Sequence, residues 1–166
     1  MTTDAIARSR TITWDDPLAT AEAGRGAVGL EFLQSMVDGE VPGPPIASLL
    51  GMSLVSVSPG QAVFTVVPDE SMYNPIGVVH GGIVCTLLDS ALGCALHTTL
   101  PAGKGYTSVE IKVSYLKAVR PSSGLLTATG RVVRAGSRVG FTEGEVVDAA
   151  GDVVATATST LLVFDV

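Results

Sequence analysis

The sequence predicts an α+β fold in which an antiparallel β-sheet wraps around one long central helix. A mostly apolar stretch at residues 82–100 has helical periodicity, and four later segments have the alternation typical of strands. The chain has 166 residues, of which 46% are hydrophobic and 5% aromatic. This length fits one domain with an extension, and its core must be built mainly from aliphatic side chains.

The first 42 residues are predicted to form an N-terminal extension. Residues 1–16 have the composition of a loose arm, and Pro17 after two aspartates marks a helix start. Gly24 and Gly26 weaken that helix, whereas residues 27–38 form a better one. The proline-rich stretch 41–45 then ends the helix, so we expect residues 1–42 to be an extension and 43–166 the main domain.

The main domain is predicted to begin with a helical turn at 46–50 and two strands at 52–58 and 61–67. A polar loop at 68–79 leads into the long helix. Further strands are predicted at residues 106–118, 124–134, 138–148 and 153–164, separated by turn-forming residues. The first of these has one apolar and one polar face, with Val109, Ile111, Val113 and Tyr115 alternating with Ser108, Glu110, Lys112 and Ser114.

The long helix has two contrasting faces. Its apolar stripe is predicted to pack on the sheet and consists of Ile83, Val84, Leu87, Leu88, Ala91, Leu92, Ala95 and Leu96. The opposite face is small or polar and consists of Cys85, Thr86, Asp89, Ser90, Gly93 and Cys94. Because a carboxylate in mid-span is costly in lipid, we interpret this stretch as a buried helix of a soluble protein, with no membrane partner.

The charge distribution indicates a small anionic ligand. The net charge is −6, which argues against nucleic-acid binding because phosphate backbones require a basic face. Yet the window from Lys104 to Arg138 holds seven of the ten basic residues and only one acid, Glu110, for a local charge of +6. An acidic protein with a basic middle is better suited to a local anion than to a long polyanion.

The two cysteines are predicted to be reduced. Cys85 and Cys94 lie nine residues apart on opposite faces of the helix, about 13 Å along its axis, which is too far for a disulfide. Reduced thiols and an N-terminal segment without an apolar stretch favour a cytoplasmic location.

A motif of chemical interest surrounds the start of the long helix. His80-Gly81-Gly82 stands where free backbone N–H groups and the helix dipole can polarise a carbonyl group. Asp89 is a lone carboxylate two turns further on, where burial would disfavour its charged form unless it had a partner or a role. Gly81 and Asp89 are about 12 Å apart along the helix, too far to act on one carbonyl. An antiparallel helix from a second copy would bring Asp89 of one chain beside Gly81 of the other.

These residues resemble a known family. The combination Asn74…His80-Gly81-Gly82…Asp89, followed by the run from Ser108 to Leu116, is similar to hotdog-fold acyl-CoA thioesterases of the PaaI, or phenylacetic-acid-degradation, type. The resemblance covers about residues 45–164. It implies a sheet wrapped around the helix, and homodimers or a dimer-of-dimers tetramer with shared active sites. It also implies that coenzyme A is part of the substrate, with no separate cofactor and no metal.

The resemblance also implies roles for particular residues. Gly81 would polarise the thioester carbonyl through its N–H, and Asp89 would act as general base on water or as a nucleophile that forms an anhydride. Ser108, or its neighbour Thr107, would position the water or the carboxylate. Asn74 and His80 would orient the thioester and its loop. The expected CoA-binding residues are Gly82, Lys117, Arg120, Arg134 and Arg138.

Two other functions fit the same fold. A non-catalytic module would bind acyl-CoA without turnover, although a retained Asp89 argues against it. A hotdog hydratase or dehydratase would instead place His and Asp or Glu for proton transfer at carbon. An assay for free thiol compared with one for enoyl formation would separate these alternatives.

Overall fold

The computed structural model describes residues 7–166. Two helices precede the sheet, and a third, short helix leads into its first strand. The helices are α1 (Pro17–Arg25), α2 (Gly29–Val37), α3 (Pro45–Leu50) and α4 (Gly81–His97). The strands are β1 (Met52–Ser58), β2 (Gln61–Val66), β3 (Lys104–Tyr115), β4 (Leu126–Ala135), β5 (Val139–Val147) and β6 (Val153–Asp165).

One antiparallel sheet contains all six strands in the order β1-β2-β4-β5-β6-β3. Strand β3 pairs with β6 at the edge of the sheet, and not with β2 or β4, its neighbours in the sequence. Since α4 connects β2 to β3, the chain passes across the sheet face before it reaches that edge. The predicted α+β class, with a sheet around one long helix, is confirmed.

The apolar stripe of α4 forms the centre of the core. Leu87, Leu88, Leu92 and Leu96 are fully buried against the sheet, mainly against β4, β2 and β5. Removing these side chains from water supplies the main driving force for wrapping the sheet around the helix. Within residues 7–166, no helix is both long and apolar enough to cross a membrane.

A β-bulge in β3 overturns the simple alternation expected from the sequence. Ser108 pairs with Leu161 whereas Glu110 pairs with Thr160, so Val109 is an extra residue in the ladder. Before the bulge the even-numbered residues of β3 face α4, and after it the odd-numbered residues do. Val109 is consequently 60% exposed, and Ser108 lies on the helix-facing side, opposite to the prediction.

The N-terminal helices differ from the predicted ones in their bounds. α1 forms despite Gly24, because Asp16 accepts a hydrogen bond from the Leu18 N–H at 2.9 Å and Pro17 occupies the first turn. α2 starts two residues later than predicted, at Gly29, whose N–H donates to the Leu100 carbonyl at 3.0 Å. α2 therefore meets the C-terminal end of α4.

His97 is the last residue of α4. Its ring lies between Phe32 of α2 and Tyr106 of β3, with ring centroids 5.9 and 5.3 Å away. Burial in this aromatic stack lowers the pKa of His97 below its usual value, because the charged ring would lose its hydration.

We expect His97 to make the folded protein less stable in mild acid. The unfolded chain binds a proton at His97 more readily, so the free energy of unfolding should fall as the pH drops below about 6.5 and level off once the folded form also protonates. The slope from this residue is at most about 1.4 kcal/mol per pH unit. Urea unfolding at pH 7.5 and 5.5 should show a smaller difference for His97→Phe than for wild type; equal differences would contradict the prediction.

Candidate active site

The loop before α4 is held by its own polar groups. The Asn74 side-chain oxygen accepts hydrogen bonds from the N–H groups of Ile76 and Val78 at 3.1 and 3.3 Å. His80 is the N-cap of α4, and its Nδ1 accepts from the Gly82 N–H at 2.9 Å. Asn74 and His80 therefore shape the loop and the helix start, and the Gly82 N–H is already used by the cap.

The Gly81 N–H lies in the first turn of α4, where helix geometry supplies no acceptor. Within residues 7–166 it makes no hydrogen bond. A free donor at the positive end of the helix dipole can stabilise negative charge on a carbonyl oxygen. The Gly81 carbonyl, by contrast, accepts a hydrogen bond from the Tyr115 hydroxyl at 2.9 Å.

The small residues of α4 face strand β3. Gly81 lies against the ring of Tyr115, and Gly93 lies against Tyr106, where an added Cβ would be only 2.6 Å from the ring. Part of the small-residue face is thus covered by β3 of the same chain. The small residues have a structural use, since they let two large rings pack on the helix.

Asp89 lies between these two contacts on the same face of α4. Its Oδ1 accepts a hydrogen bond from the Ser108 hydroxyl at 2.7 Å. The bulge at Val109 makes this possible, and it identifies Ser108 rather than Thr107 as the partner of the carboxylate. Asp89 is exposed in the single chain, so the burial expected from its apolar neighbours in sequence does not occur. Within residues 7–166, Oδ2 makes no hydrogen bond and is free for water or substrate.

Neither cysteine is suited to act as a nucleophile. Burial raises the pKa of the Cys94 thiol to about 12. Burial, and the nearby negative charge of Asp89, also raise the pKa of Cys85. Since the thiolate is the reactive form, both groups stay protonated near neutral pH. Both thiols are free, as predicted. Within residues 7–166, no group of three or more His, Cys, Asp or Glu side chains could hold a metal ion.

The predicted CoA-binding cations do not form one cluster. Lys117 is bound by two carboxylates, with its Nζ 2.7 Å from Asp148 and 2.6 Å from Asp152. Arg120 follows Val119, whose carbonyl accepts from the Val79 N–H at 3.0 Å, so Arg120 lies near the start of α4.

Arg134 and Arg138 lie at the other end of the sheet. They flank the β4–β5 turn. Gly140, beside this turn, pairs with Leu161 of β6, and Leu161 pairs with Ser108 of β3, so the turn lies at the same end of the sheet as Ser108. Both arginines are exposed, and neither forms an ion pair within residues 7–166. The single chain thus has an arginine near Gly81 and two near the Asp89 end.

A cavity of about 1120 Å³ adjoins Asp89 and Ser108. One side is formed by α1 and α2 of the N-terminal extension. Sequence reasoning missed Tyr106 and Tyr115, which lie against the site helix. Their position opposite two glycines could have been found only with the strand register, because aromatic residues in a strand are ordinarily core or cross-strand residues.

Comparisons with known proteins agree with this geometry. Residues 76–155 match the family model described as the thioesterase superfamily. A Halobacterium salinarum protein named "Putative esterase" is 37% identical over 121 residues, 70% of this chain and 76% of the relative. Acyl-coenzyme A thioesterase 13 of Homo sapiens is 30% identical over 91 residues, 55% of this chain and 64% of the relative.

A solved structure from Ralstonia eutropha, described as a phenylacetic acid degradation-related protein, superposes with a TM-score of 0.71 at 30% identity. The match covers 78% of this chain and 98% of that one. The sheet wrapped around α4, with a glycine-rich helix start and a carboxylate on the helix, defines a hotdog-fold thioesterase. The chain belongs to the thioesterase superfamily, which confirms the resemblance predicted from the sequence.

Proposed function

We propose that this protein hydrolyses acyl-CoA thioesters with Asp89 of one chain and Gly81 of a second copy. The observation that carries the proposal is the Asp89–Ser108 pair, 2.7 Å apart, at the wall of a cavity large enough for an acyl group. The similarity to a relative named for acyl-coenzyme A supports the choice of substrate class.

The chemistry follows from the groups available. Asp89 takes a proton from water, whose oxygen attacks the thioester carbonyl carbon while the Gly81 N–H stabilises the oxyanion. The carbon–sulfur bond then breaks, the proton passes to the sulfur, and free acid and CoA thiol leave. In the alternative role, the Asp89 carboxylate attacks first and forms an anhydride, which water hydrolyses. Ser108 holds one carboxylate oxygen in both cases.

The distance within one chain supports a site shared with a second copy. Eight residues of helix separate Gly81 from Asp89, about 12 Å, and both face β3. β3 is an edge strand of twelve residues with an exposed Val109, so its open backbone groups can pair with another strand. Antiparallel pairing of two β3 strands would place the Asp89 end of one chain beside the Gly81 end of the other.

The same arrangement would bring the arginines together. Arg120 lies at the Gly81 end, and Arg134 and Arg138 lie at the Asp89 end. We assign the CoA phosphates to these three residues, contributed by two chains, because guanidinium groups suit phosphate oxygens. Lys117 is less suited, since two carboxylates already bind its ammonium group.

The direct test is release of free thiol from a panel of acyl-CoA esters. We expect turnover with at least one ester. Binding of acyl-CoA without thiol release would contradict hydrolysis and favour a binding module. Conversion of an enoyl or hydroxyacyl ester without thiol release would favour a hydratase or dehydratase.

Subunit complementation tests the shared site. We expect Asp89→Asn and Gly81→Pro each to be inactive alone. If the two chains are unfolded together and refolded in equal amounts, about half of the dimers should be mixed, and each mixed dimer has one intact site. Activity should therefore recover to about one quarter of wild type. Mixed dimers without recovered activity would show that one chain supplies the whole site.

A further inference from the structure

The cavity beside Asp89 is lined in part by helices that lie outside the residues matched by the family model. Residues of α1 and α2 form one wall, α3 and the start of β1 form another, and α4 with β3 forms the wall that carries Asp89 and Ser108. The N-terminal helices therefore border the space next to the carboxylate.

This wall is part of the packed fold. The Gly29 N–H donates a hydrogen bond to the Leu100 carbonyl oxygen at 3.0 Å. A Cβ added to Gly29 would lie 1.9 Å from the His97 carbonyl oxygen. Leu33 is 2% exposed, and Phe32 packs on the His97 ring. The backbone of α2 thus lies directly on the end of α4, which fixes the width of the cavity.

The lining surface is mainly apolar, and among residues 7–166 the Arg and Lys side chains that line it are both paired. Arg25 is bound to Glu22 at 3.0 Å, and Lys104 to Asp165 at 2.6 Å. A negatively charged acyl group would find no free partner there and would lie near Asp89. The large apolar or aromatic lining residues include Phe32, Met36, Met52, Leu54, Phe64 and Tyr106.

The cavity is partly open to solvent in the single chain and has room for a large occupant. A methylene group needs about as much space as a water molecule, roughly 30 Å³. On this measure a two-carbon acyl group needs roughly 60 Å³ and a sixteen-carbon chain roughly 480 Å³, so even a long chain fits beside α1 and α2. A small acyl group would leave most of the apolar lining without contacts.

We propose that this cavity binds the acyl part of the substrate, and that α1 and α2 determine which acyl groups the enzyme accepts. The inference rests on the proposed acyl-CoA hydrolysis and names its substrate class, uncharged hydrophobic acyl groups of medium or long chain. The thioester carbonyl lies at the Asp89–Ser108 wall, and the chain extends between the N-terminal helices and β1.

The test uses two tryptophan variants on the same helix. Ala21 and Ala23 are both exposed, but Ala21 lines the cavity and Ala23 does not. In wild type, kcat/KM should rise by about fourfold for each added methylene until the cavity limits the chain. Ala21→Trp should lower kcat/KM for decanoyl-CoA at least tenfold and leave butyryl-CoA within about twofold. Ala23→Trp should match wild type with both esters.

A second variant widens the same cavity. Met36→Ala should shift the preference toward longer or bulkier acyl groups. This variant still tests the inference if circular dichroism shows that Ala21→Trp does not fold. If wild type hydrolyses acyl-CoA but Ala21→Trp and Met36→Ala retain its chain-length profile, the acyl group binds elsewhere and the inference is overturned, whereas the proposed function stands.

A binding measurement separates this outcome from failure of the proposed function. Decyl-CoA, a thioether that cannot be hydrolysed, should bind wild type and Ala23→Trp equally by calorimetry and Ala21→Trp at least tenfold more weakly. If wild type releases no thiol from any ester, the proposed function fails. Equal binding of decyl-CoA by all three proteins overturns the assignment of the cavity.

Discussion

Replacing Asp89 by Asn should lower kcat for acyl-CoA hydrolysis by about 10²–10⁴-fold while KM changes little. Asparagine has nearly the shape of aspartate and can still accept the 2.7 Å hydrogen bond from Ser108, but it cannot take a proton from water or form an anhydride. The loss should therefore affect the chemical step. Steady-state kinetics with thiol detection measure it.

Glu110→Gln is the matched control for this variant. Glu110 is an exposed carboxylate on β3, two residues from Ser108 and beyond the bulge, and its removal changes the net charge by the same amount. We expect its kcat to stay within about twofold of wild type. Both variants should unfold within about 1 kcal/mol of wild type in urea, because each replaces an exposed group. If Asp89→Asn kept more than a tenth of wild-type kcat, Asp89 would be neither base nor nucleophile.

Replacing Gly81 by Pro should lower kcat by about 10²–10³-fold, the cost of removing one donor to an oxyanion. Proline is favoured in the first turn of a helix, where its missing N–H breaks no helical hydrogen bond. The preceding His80 already has φ −62° and ψ 132°, the extended backbone that a following proline requires. The substitution thus deletes the N–H with little change to the helix start.

Gly81→Ala is the control for the added bulk. Both variants place a Cβ 3.1 Å from the Tyr115 ring, but alanine keeps the N–H. We expect Gly81→Ala to lose less than tenfold in kcat, and the difference between the two variants to measure the contribution of the donor. Equal losses would mean that contact with Tyr115, rather than the N–H, causes the effect.

Local sequence pattern was sufficient for most of the secondary structure. The apolar stripe of residues 83–96 predicted α4 and its buried face, and the turn residues between 118 and 153 separated the strands to within a few residues. The helix was predicted to extend to residue 100 but ends at His97, where Thr99 and Leu100 donate to carbonyls only three residues back. Such tightening at a helix end has no clear mark in periodicity.

The strand β3 shows where local pattern fails. Regular alternation placed Ser108 on the face opposite to Ile111, but both lie on the side of α4 because Val109 bulges out of the ladder. The bulge depends on the pairing of β3 with β6, about fifty residues away in the chain. Periodicity within β3 alone cannot reveal it.

The sequence by itself determined the α+β class, the helix-start motif of His80 and Gly81, and the unusual carboxylate at Asp89, because these depend on short-range pattern and composition. Tertiary structure decided that Ser108 meets Asp89, that Lys117 pairs with Asp148 and Asp152, and that α1 and α2 form a wall of the cavity. Each of these contacts joins residues far apart in the chain. Long-range register and packing, which no local periodicity encodes, bring them together.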